Sequence, residues 1–226
     1  MPSDTPDPPR ARAVPARAAI FDLDGVLVSS TELHYAAYRK TFAPEGREFS
    51  RDAYHEFGVG ASRDDVIRRV MGDLPPEELS RLMEAKERYV REHIEERGID
   101  AIPGAVEFAR AVRARGVRTA VASASRTPEL LLRAIGADGL FDCVIGRHHV
   151  GRSKPHPDLY LKAAEALGVP PSACLVIEDA PRGIQAARAA GMRVLALATT
   201  EPPERLAAAD AVFSGFSEIR LDDWFA

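Results

Sequence analysis

Residues 18–30 read AAIFDLDGVLVSS: a short apolar run, two aspartates separated by one leucine, then a glycine. A continuous apolar run of this length suits a parallel strand covered on both faces. Period-two geometry sends Asp22 and Asp24 to the same side of the extended chain and turns Leu23 toward the core. Gly25 allows a sharp turn and a close backbone approach to a ligand.

Similar apolar runs recur at 117–123, 141–146, 174–179 and 193–198, with a weaker one at 211–213. Between them lie helical stretches with clear punctuation. Pro103-Gly104 precedes one that stops at Gly116, Thr127-Pro128-Glu129 forms an N-cap series, Asp158 can cap the stretch ending at Gly168, and another ends at Gly191. Strands alternating with helices predict an α/β fold, a doubly wound parallel (Rossmann-like) sheet. One stretch breaks the rhythm: from Leu33 to Gly98 the pattern is helical throughout, too long for a plain crossover. The expected domains are a core of 18–32 and 100–226, an inserted α-helical cap domain of 33–99, and a Pro-rich, charged, disordered tail of 1–17.

The chain has 226 residues, 46% apolar and 28% charged, with a net charge of −4 and the two signs interspersed. That balance argues against a nucleic-acid binder, which would carry a basic face. No apolar run approaches the roughly 18–20 residues of a membrane span, and residues 1–17 lack a secretory h-region. A cytoplasmic protein, monomer or dimer, is expected, with Cys143 and Cys174 as buried reduced thiols. His148-His149 is expected as a surface pair and His156 as exposed.

In open α/β sheets, ligands bind beyond the carboxyl ends of the strands. The ends of these runs carry Asp22 with Asp24, Ser123 with Ser125, and Glu178 with Asp179, and a loop after the third carries Lys154. Carboxylates gathered at one rim need a cation, because like charges at close range repel. Hard oxygen donors suit Mg²⁺, which commonly shares its coordination with phosphate oxygens. Lys154 adds a positive charge, and Ser123 with nearby backbone N–H groups, including that of Ala124, adds donors for a phosphoryl group. Asp22 can then attack phosphorus to form an aspartyl phosphate, with Asp24 handling the proton.

The segments FDLDGVL, VASAS, the lysine of GRSKPHPD and VIEDAPRG, in that order, resemble the four motifs of the haloacid dehalogenase superfamily. The resemblance implies Asp22 as nucleophile, Asp24 as general acid/base, and Ser123 with Lys154 as the phosphate-binding pair. It also implies a Mg²⁺ site made of Asp22, the Asp24 carbonyl and Asp179, with Glu178 either a further ligand or a partner that orients its neighbours. The second aspartate favours a phosphoryl enzyme over a dehalogenase. The helical insertion is similar to the cap of the sugar-phosphate phosphatase and β-phosphoglucomutase branch, which closes over a small phosphorylated substrate. Within that branch, SSTELH, GASRDD and EAKERYV match positions that make His34 a cap-hinge histidine, Arg63 a ligand of the non-transferring phosphate and Lys86 a cap lysine, with Ser125 contacting substrate. Ser29 and Ser30 depart from the Asp and Thr of the mutase. A Mg²⁺-dependent sugar-phosphate phosphatase is therefore expected, with β-phosphoglucomutase as the alternative. A receiver-type signalling module gathers similar groups but has no inserted cap.

Overall fold

The computed structural model describes residues 15–225. Six parallel strands form one sheet: β1 (Ala18–Phe21), β2 (Arg118–Ala122), β3 (Cys143–Ile145), β4 (Cys174–Glu178), β5 (Arg193–Leu197) and β6 (Ala211–Phe213), in the order β3-β2-β1-β4-β5-β6. Each expected apolar run supplies one strand.

β1 lies at the centre, with Ile20 opposite Ala120 on one side and Val176 on the other. Its residues alternate between the two faces. Ala19 and Phe21 pack toward Phe108 and Val112 of α5 (Ala105–Ala114) and Leu131 of α6 (Pro128–Ala134). Ala18 and Ile20 pack toward Tyr160 and Ala163 of α7 (Asp158–Leu167) and Ile184 of α8 (Pro181–Ala189). Phe21 is fully buried, with the Phe108 and Phe141 rings edge-on at 6.3 and 5.6 Å. Burial of such a ring contributes about 2–3 kcal/mol.

The chain moves from β1 outward to β2 and β3, then returns to place β4 on the other side of β1. The carboxyl ends of β1 and β4 therefore meet where the winding reverses, the crevice in which ligands bind in such sheets. This brings Asp22 next to Glu178 and Asp179: the Asp22 amide still donates to the Ile177 carbonyl, at 2.9 Å.

Between β1 and α5 the chain forms α1 (Thr31–Phe42), the short α2 (Arg51–Ala53) running into a π-turn at Tyr54–Gly58, α3 (Arg63–Met71) and α4 (Pro76–Arg97). Tyr38, Phe42, Phe49 and Tyr54 form an aromatic cluster with Val66, Ile67 and Leu82, separate from the two cores on the sheet faces. The outgoing and returning strands lie side by side. Val28 pairs with Ala101, and the Ser29 amide donates to Asp100 at 2.9 Å. Two adjacent crossings join the helical insertion to the sheet.

Three local readings change. Residues 1–14 of the expected tail lie outside the described residues. Ala16, however, is fully buried, with its amide donating to the Trp224 carbonyl at 2.8 Å, so the core begins before residue 18. Cys174 is buried but Cys143, near the sheet edge, is half-exposed; both are free thiols. Asp158 is the first residue of α7 rather than its cap, a place taken by Pro157. Among the described residues, no helix is long and apolar enough to cross a membrane.

Candidate active site

The loop after β1 is held tightly. Gly25 adopts φ +79°, and a Cβ there would lie 1.9 Å from Asp179 Oδ2 and 2.5 Å from Thr200 Oγ1. Only glycine allows this turn and this approach together. Thr199 donates its hydroxyl to the Gly25 carbonyl at 2.5 Å, and Thr200 lines the cavity. The pair that follows β5 thus supports the β1 loop.

Lys154 is buried beneath the site. Its Nζ lies 2.7 Å from Asp22 Oδ1 and 2.6 Å from Glu178 Oε1. Burial alone would push this lysine down, but the two carboxylates outweigh it and hold the ammonium charged well above its ordinary range. Glu178 Oε1 also accepts from the Tyr160 hydroxyl at 2.6 Å, while Oε2 accepts from the amides of Asp179 and Ala180 at 2.9 and 3.0 Å. A Cβ on Gly183 would fall 1.6 Å from Glu178 Oε1, so glycine in the first turn of α8 makes room for this carboxylate. Each Glu178 oxygen therefore already accepts two hydrogen bonds. Of the two parts the sequence left open to it, metal ligand or orienting partner, these bonds are those of a residue that orients Lys154 and the β4 loop.

Carboxylate oxygens of Asp22, Glu178 and Asp179 all lie within 4.8 Å of one another. Burial, reinforced by Glu178 and Asp24 and opposed by Lys154, raises Asp22 to about 7. Burial, Glu178 and Asp22 raise Asp179 well above the usual carboxylate range. Such a crowded all-oxygen donor set fits a small hard cation. In the folded, metal-free protein these two acids hold protons that the unfolded chain releases above about pH 4, so they lower stability as pH rises from there through 7. A cation that needs both ionised reverses that effect. Mg²⁺ is expected to raise the melting temperature by several degrees at pH 8, on the order of 1–2 kcal/mol, and by much less at pH 5. Equal shifts at both pH values in a thermal melt would contradict this.

Asp24 faces the cap. Its Oδ1 accepts from Ser30 Oγ at 2.5 Å and from His34 Nε2 at 2.8 Å, and Lys86 Nζ donates to His34 Nδ1 at 2.9 Å. Burial would raise Asp24, but His34 and Ser30 dominate and bring it down to about 2. Burial and the neighbouring Lys86 lower His34, and burial with the nearby Arg63 lowers Lys86 to about 7. With Lys86 donating to Nδ1, Nε2 is the ring nitrogen that donates to Asp24, and the imidazole links that carboxylate to α4. Ser30 supplies this hydroxyl from the N-terminal end of α1.

Ala124 and Ser125 line the cavity, whereas Ser123 is fully buried just behind it, its Oγ accepting from the Ser125 amide at 3.0 Å. Arg63 also lines the cavity, but its guanidinium is engaged by Glu87 and by the Met83 carbonyl at 2.9 Å. Thr127, read from the sequence as the cap of α6, makes no capping bond; its hydroxyl donates to Glu87 Oε1 at 2.5 Å, tying the core to the helical insertion. On the other side, Arg182 reaches Asp65 at 3.2 Å. The cavity these residues line is about 60 Å³, small beside the roughly 300–1,000 Å³ of typical small-molecule sites. Sequence reasoning missed Tyr160 and Glu87. The signals available were a tyrosine on the helix following Lys154 and an acid beside Lys86.

Comparison with known proteins agrees with this arrangement. Residues 16–191 match the model of the haloacid dehalogenase-like hydrolases. The protein CbbY of Rhodobacter capsulatus is 35% identical over 191 residues, 79% of this chain and 84% of its own. The fructose-1-phosphate phosphatase YqaB of Escherichia coli is 32% identical over 177 residues, 76% of this chain and 92% of its own. The crystal structure of β-phosphoglucomutase from Clostridium difficile superposes with a TM-score of 0.85 at 28% identity, covering 92% of this chain and 94% of that one. With its parallel sheet, inserted cap and these relatives, the chain belongs to the haloacid dehalogenase-like hydrolase family, as an enzyme of its phosphatase and phosphomutase branch.

Proposed function

We propose that this protein is a Mg²⁺-dependent phosphatase acting on a small sugar phosphate through an aspartyl-phosphate intermediate. The observation that carries the reading is the separation of two neighbouring carboxylates into different environments. Asp22 lies on Lys154 within the acidic cluster, while Asp24 is held ionised by Ser30 and His34. Environments that split two acids in this way assign them different roles.

In the first half-reaction an Asp22 oxygen bonds to phosphorus as the ester P–O bond breaks, and the leaving oxygen takes a proton from Asp24. Resting Asp24 is ionised, so that proton arrives with the substrate, whose phosphate monoanion carries one. In the second, the Asp24 carboxylate takes a proton from water, whose oxygen attacks phosphorus. Phosphate leaves, Asp22 is restored, and Asp24 passes its proton to the departing phosphate dianion, returning to the ionised state. Lys154, the Ser123 hydroxyl and the Ala124 amide hold the phosphoryl oxygens. Asp22, Asp179 and the Asp24 carbonyl would hold Mg²⁺, which when bound neutralises charge on the phosphoryl group.

A second reading, β-phosphoglucomutase, draws support from the His34–Lys86 link between α4 and Asp24 and from the likeness to the mutase fold. The two differ in whether water or a sugar hydroxyl reaches the acyl phosphate. The purified protein is given fructose 1-phosphate, or β-glucose 1-phosphate with a trace of glucose 1,6-bisphosphate, in Mg²⁺. Phosphate release without isomerisation is expected; fast glucose 6-phosphate formation with little free phosphate would make it a mutase.

A further inference from the structure

Behind Arg63, on the side away from the catalytic cavity, lies a carboxylate that the proposed chemistry does not use. Glu87 pairs with the Arg63 guanidinium and accepts from the Thr127 hydroxyl. Both partners of the pair are largely enclosed, with side chains 12% and 15% exposed, so their charges act on each other and on anything bound nearby with little screening. Burial would raise Glu87, but Arg63, Thr127 and Lys86 bring it below its usual range, so the carboxylate is ionised at neutral pH.

Three cations face the cavity: Lys154, Lys86 and Arg63. Lys154 is occupied at the floor by Asp22 and Glu178, and Lys86 donates to His34. Arg63, at the start of α3, has one terminal nitrogen on Met83 and the other on Glu87. An anion arriving there would find a neutralised guanidinium and, just behind it, a fixed negative charge. A hydroxyl would meet no such opposition.

We propose that Glu87 is a specificity-determining residue: by cancelling Arg63 it makes this a site for sugar monophosphates with an uncharged, hydroxyl-bearing far end, and it discriminates against bisphosphates. This rests on the sugar-phosphate reading of the same site and deepens it. It also bears on the mutase alternative, because passing phosphate between two positions of one sugar requires a bisphosphate to be held.

The test uses fructose 1-phosphate and fructose 1,6-bisphosphate, which differ by one phosphate at the far end. Phosphate release is measured with wild type, Glu87→Gln and Glu87→Asp. Binding of both sugars in Mg²⁺ is measured by calorimetry in Asp22→Asn with and without Glu87→Gln. Wild type is expected to favour the monophosphate. Glu87→Gln, which keeps the shape and removes the charge, should shift both the kcat/KM ratio and the affinity ratio toward the bisphosphate by about tenfold or more. Glu87→Asp, which keeps the charge, should retain the wild-type preference. A merely structural role would change both substrates alike. The proposal is overturned if wild type prefers the bisphosphate, if Glu87→Gln leaves both ratios unchanged, or if neither sugar binds. Hydrolysis with unchanged ratios would sink the Glu87 assignment alone. Shifted affinities without hydrolysis by any Glu87 form would sink the phosphatase reading and leave Glu87 its role.

Discussion

Asp22→Asn abolishes phosphate release, with an expected loss on the order of 10⁴-fold or more, the scale of deleting a covalent nucleophile. The amide has nearly the same shape and still reaches Lys154, but it cannot form the acyl phosphate. The same substitution should not weaken the metal-free protein. Asp22 titrates near 7 in the fold against an ordinary value near 4, so its ionised form costs stability at pH 8. Asp22→Asn removes that cost, and the metal-free melting temperature at pH 8 should equal or exceed that of wild type. Its stabilisation by Mg²⁺ should shrink, since one ligand is gone. Lost turnover with a retained or raised melting temperature separates a chemical defect from misfolding. Wild-type rates in Asp22→Asn would instead require another nucleophile.

Lys154→Met is expected to destabilise the protein by about 3–5 kcal/mol, the cost of removing one partner from a buried ion pair. Lys154 is 1% exposed and sits between Asp22 and Glu178, with Asp179 adjacent. Without its ammonium, buried carboxylates face one another with no positive charge among them. Because the folded pKa of Lys154 is raised, its contribution is fully present below about pH 10 and is lost only above that, so the loss appears in full at neutral pH. Urea unfolding at pH 7 measures it. Mg²⁺ should recover part of the stability, since it supplies positive charge to the same cluster, yet restore little activity. A variant within about 1 kcal/mol of wild type would mean that the pairing only offsets its own desolvation.

Much of this architecture is legible in the sequence for local reasons. A strand buried on both faces reads as a nearly continuous apolar run, so AAIF, the TAVA of RTAVA and the CLVI of CLVIE announce themselves without knowledge of their neighbours. Parallel strands then carry their ends to one rim, and the polar residues that stop each run become site residues by geometry. Asp22, Asp24, Lys154 and Asp179 were therefore reachable from the order and spacing of the motifs. Glu178 was reachable as a member of the site, as ligand or orienting partner, but the way it is held was not. That depends on Tyr160, Lys154 and the space over Gly183, which converge from three separate elements.

The sequence by itself determined the strands, the long helical interruption after the first of them, and the placing of Asp22 and Asp24 together at the end of β1, because each follows from periodicity or from residues a few positions apart. Tertiary structure alone decided what those groups feel. Asp22 and Asp24 are chemically identical side chains, yet one is driven up by burial among acids and the other pulled down by Ser30 and His34. Tertiary structure alone also decided that Thr127 reaches Glu87 instead of capping its own helix, and that Glu87 meets Arg63. The first contact exists only where the cap docks on the core and the second only where two cap helices pack, and no spacing along the chain encodes how two surfaces meet.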